Sequence, residues 1–354
     1  MVASTGTIGP ELSWRVCIYC LVKKPASDFN REHVMLEAFG LFEGNLVLDC
    51  VCWECNDFFS KDVDLKFARD SVEGFSRYQT GMKSTAEYKS LGRRSTTRVE
   101  FREGDSAGAI GYLAPNPDGG PELRVDFVPQ IGFSATEHGP KTWFSPKAVP
   151  TRERLSEHGF APKAPFFVHT RGMFVEEARP LLESKGYTFN QEFKSWYPPE
   201  ELVATTTVGV ISVPEMRAAA KIAMNYLAHV AGQGIVRSLQ FDDVRLFVRH
   251  ARGWPRVSVT ENNLQVLRKE DGQPVRGHYV AVQTQPNGII RAQVSVLLKL
   301  KYIVTLSTVP FAVGIPRVSS AHFWDIDTRI VKPFQMPPWT PGPDLPRPSR
   351  STAA

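Results

Sequence analysis

Apolar and polar residues alternate with different periods along the chain, and the changes of period mark out the elements. Arg31–Leu36 and Leu46–Val51 read as two strands, the second β-branched and alternating, joined by a glycine-bounded loop over Phe39–Asn45. After Trp53 the period lengthens. Phe58, Phe59, Val63, Phe67 and Ala68 recur at mixed three- and four-residue steps, which predicts a helix with one apolar side. Between Thr97 and Phe144, alternating runs such as Arg98–Arg102 and Glu122–Val128 flank a Pro- and Gly-rich turn at Pro115–Gly120, so hairpins of a small sheet are expected there. Thr151–Glu157 and Glu176–Lys185 read as helices around a strand at Phe166–Thr170.

Ser212, Pro214 and Glu215 combine a serine cap, a proline in the first turn and a glutamate that closes a capping box. The helix they open is expected to run through Val230, with Met216, Ala219, Ala220, Ala223, Tyr226, Leu227 and Val230 on one core-facing side and Gly232 and Gly234 as its stop. A second helix over Asp242–Arg252 would bury Val244, Phe247, Val248 and Ala251 and set Arg245, Arg249 and Arg252 together on the opposite face, where they could meet phosphates. Val257–Leu306 reads as antiparallel strands, with Gln285–Gly288 as a turn before a strand at Ile289–Leu298.

The pattern is that of an α+β protein, and 354 residues allow two or three domains. The expected division is 1–82 for a small module with its own metal, 83–100 for a basic linker carrying Lys83, Lys89, Arg93, Arg94 and Arg98, 101–210 for a β-rich α+β region, 211–336 for a helical pair with antiparallel strands, and 337–354 for a disordered Pro-rich tail. Hydrophobic residues at 42% and charged residues at 22% exclude wholesale disorder and fibrous repeats. No basic start leads into an apolar core at the N-terminus, and the most apolar late stretch, Val294–Leu306, is interrupted by Lys299 and Lys301, so neither secretion nor membrane insertion is expected and the location reads as cytoplasmic. The net charge of +5 is unevenly spread. Residues 1–80 hold 8 Lys and Arg against 12 Asp and Glu, and the rest hold 34 against 25, a layout in which the larger part could grip a polyanion while the smaller binds cations.

Candidate chemistry is concentrated near the start. All five cysteines lie between Cys17 and Cys55, and Cys17–Cys20 and Cys52–Cys55 form two Cys-x-x-Cys pairs, a spacing suited to four thiolates around a structural Zn2+. Disulfides and unligated thiols are the alternatives, and Cys50 reads as a small buried apolar side chain. The histidines at 138, 158, 169, 229, 250, 278 and 322 show no metal-ligand spacing, so no second site is expected from them.

Between the pairs stand Glu32-His33 and Asn45, and Asn56 follows the last cysteine. This set resembles the His-Asn-His (HNH) nuclease family, in particular its zinc-stapled branch with recombination endonuclease VII, and Arg69–Arg77 is similar to the continuation in larger bacterial HNH proteins. The resemblance implies a ββα-metal hairpin and helix that cleaves nucleic acid, usually DNA, with a divalent cation. By position it implies His33 as general base for the attacking water, Glu32 and Asn56 as ligands of Mg2+ or Mn2+, and Asn45 as the residue that fixes the loop or orients His33. Glu32 stands where aspartate is more usual, and Phe59 where a basic residue is often found. The expectation is therefore a metal-dependent DNA endonuclease whose C-terminal region recognises the target or controls the cut, in restriction or antiphage defence, acting on duplex DNA as a dimer or with a partner protein. Its rivals are a non-catalytic zinc-stapled adaptor and an RNA-directed nuclease.

Overall fold

A computed structural model describes residues 13–84, 87, 89, 95, 97–115, 123–189, 205–209, 211–253, 257–261, 272, 275–307 and 317–335. The Pro-rich tail, the turn over 116–120 and much of the expected linker, Arg93 and Arg94 included, lie outside them. Residues 1–59 and 216–354 make one compact unit and residues 60–215 a second. The grouping is thus not the serial one expected, because the first 59 residues share a unit with the C-terminal part of the chain.

The first unit opens with an antiparallel pair, β1 (Trp14–Val16) and β2 (Lys23–Pro25), and continues with the hairpin β3 (Phe29–His33) and β4 (Val47–Cys52). The expected strand at Arg31–Leu36 begins and ends earlier than its apolar pattern suggested, because Val34, Met35 and Leu36 are core residues of the loop. The register shifts between Asn30 and Glu32, so β4 carries one extra residue opposite Arg31, a bulge of the sort that re-aims neighbouring side chains. Helix α1 (Trp53–Phe59) follows β4 without a loop.

The helical run continues into the second unit through a π-helical turn, Ser60–Asp64, to α2 (Leu65–Arg69), and then α3 (Val72–Gln79). Phe59, Val63 and Phe67, spaced at four, are fully buried, whereas Trp53 and Phe58 are exposed. Strands β5 (Thr97–Phe101), β6 (Ile110–Pro115), β7 (Leu123–Phe127), β8 (Gln130–Ser134), β9 (Thr142–Phe144) and β10 (Phe167–Arg171) precede α4 (Val175–Ser184) and β11 (Thr205–Gly209). They form a four-stranded sheet ordered β11-β5-β6-β7 and a three-stranded sheet ordered β10-β8-β9. β5 starts inside the stretch read as a linker, and Thr151–Glu157 becomes a 3₁₀ turn at Glu153–His158. Ile131, Phe133, Leu155, Leu182 and Tyr187 build a core against the smaller sheet.

Helix α5 (Val213–Ala231) starts as its capping box predicts, with the Ser212 backbone N–H donating to Glu215 Oε2 at 2.9 Å, and stops before Gly232 at φ +91°. It is buried on every side from Arg217 to Ala228, not along one stripe. After α6 (Gln233–Val236) and α7 (Asp242–His250), strands β12 (Val257–Glu261), β13 (Gly277–Thr284), β14 (Ile290–Ser295), β15 (Leu300–Thr305), β16 (Ser319–Asp325) and β17 (Ile330–Pro333) form an antiparallel six-stranded sheet ordered β12-β15-β14-β13-β16-β17. Gln285–Gly288 makes the expected turn, closed by Gly288 N–H to Gln285 O at 2.8 Å. The loop between β3 and β4 is stitched to this sheet, as Glu43 N–H donates to Arg329 O at 2.7 Å and accepts at its own carbonyl from Val331 N–H at 3.0 Å.

Candidate active site and metal centre

The two Cys-x-x-Cys pairs are brought together by the β3–β4 hairpin and the turn before β2. The sulfurs of Cys17, Cys20, Cys52 and Cys55 all lie within 4.8 Å of one another. Cys17 Sγ accepts backbone N–H groups from Tyr19 at 3.4 Å and Cys52 at 3.5 Å. A bond from Cys55 holds the Cys17 thiol down at about 4, and burial raises Cys20 to about 11. Cys55 is raised by its bond to Cys17 and then by burial. Four sulfurs this close cannot all ionise without a shared cation, and the donor set suits a tetrahedral Zn2+. Cys50 is buried outside this group, and burial pushes its thiol up to about 12.

At the other end of the hairpin, His33 is half-buried. Trp324 Nε1–H on β16 donates to Asn45 Oδ1 at 3.0 Å, and Asn45 Nδ2 lies 2.8 Å from His33 Nδ1. An indole nitrogen can only donate, so it fixes Asn45 with its oxygen toward Trp324 and its amide hydrogens toward His33. Nδ1 must then accept. The proton of the neutral ring sits on Nε2, which donates to Glu37 Oε1 at 2.8 Å. The loop carrying Glu37 and Asn45 is held by His278, whose Nε2 bonds Phe39 O at 3.0 Å while its Nδ1 accepts from Leu297 N–H at 2.9 Å. Complete burial keeps His278 neutral and pushes its pKa down to about 4.

Residues 17–71 match the HNH endonuclease family. The match spans the thiol cluster, the hairpin, Asn56 and the helical run through α2. No curated protein and no solved structure matched the chain.

Within this HNH module, Glu32 departs from the expected ligand role. The bulge turns its side chain inward, where only 4% of the residue is exposed. Its Oε1 accepts from Lys221 Nζ at 2.6 Å and from Asn225 Nδ2 at 3.0 Å, both on α5. Asn225 also bonds His33 O at 3.4 Å, and Tyr19 Oη donates to Asn225 Oδ1 at 2.7 Å. A divalent cation would have to displace a buried ammonium, so Glu32 in this arrangement does not fit that role. Asn56 is half-buried. Its Nδ2 donates to Asn30 Oδ1 at 3.1 Å and Arg31 O at 3.4 Å, and a carboxamide ligates only through Oδ1.

The arginine row on α7 is also corrected. Arg245 is buried, not solvent-facing, and donates to Val236 O, to Ser238 O at 2.9 Å and to Asp242. It caps the carbonyls of the preceding turn, while Arg249 is half-buried and Arg252 exposed, so the three do not form one phosphate-binding face. Ala251, expected in the core, is an exposed left-handed cap at φ +53°.

Sequence reasoning missed Glu37, Lys221, Asn225 and Trp324. Lys221 and Asn225, four residues apart within Ala218–Ala228 of α5, were the available signal, since polar residues on one face of an otherwise apolar helix need buried partners. Glu37, four after His33, could have been flagged as a partner for the imidazole. Nothing in the sequence tied Trp324 to Asn45. No helix among the described residues is long and apolar enough to cross a membrane.

Proposed function

We propose that the protein is an endonuclease that hydrolyses phosphodiester bonds in DNA, with His33 as general base and a structural Zn2+ on Cys17, Cys20, Cys52 and Cys55. The observation that carries this reading is the imidazole of an HNH module held at both nitrogens, by Asn45 and by Glu37. In the reaction a water takes the place of the Asn45 amide at Nδ1, gives that nitrogen its proton and attacks phosphorus. The new P–O bond forms as the bond to the leaving oxygen breaks, and that oxygen keeps the electron pair and is protonated from solvent. Nε2–H stays on Glu37, whose carboxylate stabilises the imidazolium. Mg2+ or Mn2+, which the family resemblance implies, would supply charge neutralisation at the phosphate, and Glu32, paired with Lys221, does not fit as its ligand. The residues beyond 71, most of the chain, are assigned to recognition of the target or control of the cut, with restriction or antiphage defence as the setting.

The buried Glu32–Lys221 pair favours a second reading, a zinc-stapled adaptor that binds nucleic acid without cutting. Incubating the zinc-loaded full chain with supercoiled plasmid and Mg2+ or Mn2+ separates the two. Nicking that falls by about 100-fold or more in His33→Ala is expected. Equal nicking by both proteins, or none by either with any metal, supports the adaptor, and faster digestion of structured RNA than of duplex DNA would redirect the substrate.

A further inference from the structure

Glu32 is the carboxylate that the HNH pattern offers to a divalent ion, yet a helix nearly 200 residues away in sequence already supplies it with a positive charge. Lys221 Nζ lies 2.6 Å from Glu32 Oε1, with side-chain exposures of 1% and 5%, and 5.4 Å from the centre of the Phe59 ring on α1. The ammonium therefore sits beside both the strand that carries His33 and the helix that carries Asn56.

We infer that Lys221 is the resident cation of Glu32, so that this carboxylate anchors α5 to the HNH hairpin and takes up no divalent ion. The inference rests on the HNH reading only for the position at which a metal is expected. Three observations support permanence over a passing contact. Asn225, one turn along α5, donates to the same Glu32 oxygen and to the His33 carbonyl. Tyr19 Oη donates to Asn225 Oδ1 and lies 3.2 Å from Lys221 O, so the β1–β2 turn grips the same stretch of helix. Arg217–Ala228 is buried throughout, and withdrawing Lys221 would expose that core. A metal at Glu32 would leave the ammonium buried beside a second positive charge, and Mg2+ keeps several waters that a carboxylate sealed from solvent cannot admit. The ammonium also has geometric advantages, since it neutralises Glu32 without waters and faces the ring of Phe59.

The test uses zinc-loaded full-length protein titrated with Mn2+, free Mn2+ being followed by electron paramagnetic resonance. The paired variant Glu32→Gln with Lys221→Met removes both charges at nearly constant volume. Mn2+ affinity within about twofold of wild type, or binding by neither, is expected. Wild-type protein holding one Mn2+ per chain about tenfold or more tighter than the paired variant overturns the inference. A measurement on wild type alone covers failure of the variant to fold: with 15N-asparagine labelling, the Asn225 side-chain amide keeps its resonance position through a Mg2+ titration. A saturable shift of that amide has the opposite meaning. Neither readout requires cleavage, so an inactive protein with unchanged Mn2+ binding would end the nuclease proposal and leave this one standing.

Discussion

The two ends of the β3–β4 hairpin are held in different ways. At the Cys52 end the cross-link itself is local, a cluster of four sulfurs from residues 17–55 within 4.8 Å of one another, even though Tyr19 in the first knuckle also bonds Asn225 on α5. At the His33 end the imidazole's own partners, Asn45 and Glu37, are local, but the groups that hold Asn45 and Glu32 arrive from far along the chain: Asn225 binds Glu32 across 193 residues and Trp324 binds Asn45 across 279. One end is a local device with a few strong bonds, available as soon as the segment and a metal are present. The other is a network of ordinary hydrogen bonds and one buried ion pair, and it exists only when α5 and β16 are in place. The geometry around His33 therefore depends on the C-terminal part of the chain.

The hardest way to break this comparison is to remove the metal. A structural Zn2+ on four thiolates stabilises its segment by on the order of 10 kcal/mol at neutral pH. Chelation, or Cys52→Ser, is expected to abolish hydrogen-exchange protection of Val47–Cys52. The β13 and β14 amides, which pair with each other in the middle of the six-stranded sheet, should lose less protection if the sheet holds without the staple. Intact protection of β4 after complete removal of zinc would mean that the distant partners alone hold the hairpin, and the contrast between its two ends would fail.

The same difference in range explains what could be read from the sequence. Cys17-x-x-Cys20 and Cys52-x-x-Cys55 declare a shared purpose through spacing, and the Ser212–Glu215 box and Gly232 mark the ends of α5 within about a residue. The antiparallel strands after Val257 and the Gln285–Gly288 turn were visible for the same local reason. Which side Glu32 faces was not, because it is set by one extra residue opposite Arg31, and a bulge leaves no mark on the alternation of β3 itself. Arg245 was misplaced because helical period predicts which residues share a face, not whether that face lies against uncapped carbonyls that an arginine can satisfy. The π turn at Ser60–Asp64 likewise leaves the four-residue spacing of Phe59, Val63 and Phe67 intact.

Acid offers a milder perturbation, and on the distant side His278 is the group that reports it. His278 has a folded pKa of about 4 because burial penalises its charged form, against the usual 6.5 in an unfolded chain. Above pH 6.5 both states are neutral and its contribution is complete. As pH falls from 6.5 toward 4 the unfolded chain takes up a proton that the folded protein does not, and stability drops by about 3 kcal/mol over that window. Urea unfolding at pH 7 and pH 4.5 should show this loss, and His278→Gln should reduce the difference between the two pH values. Burial lowers His169 to about 4 as well, in the other unit, so the variant's difference from wild type isolates the loop anchor. An unchanged pH dependence in His278→Gln would remove His278 from the set of groups that lock the loop.

The smallest perturbation reaches the imidazole through two intermediaries. Trp324→Phe keeps an aromatic ring at β16 but removes the indole donor, leaving Asn45 Oδ1 without that partner at a cost of about 1–2 kcal/mol. With no donor to fix it, the Asn45 amide can turn its oxygen toward His33, and Nδ1 then becomes the better place for the ring proton. Nitrogen-15 spectra of the imidazole should pass from a single form protonated at Nε2 to a mixture of tautomers, and nicking should slow by more than the stability loss explains, since folded protein remains in excess. The conservative comparison is Asn45→Asp, which offers oxygens only and should drive the proton to Nδ1 outright. If both variants keep a ring protonated at Nε2, then Glu37 alone sets the tautomer, and the remote strand contributes packing without directing the chemistry at His33.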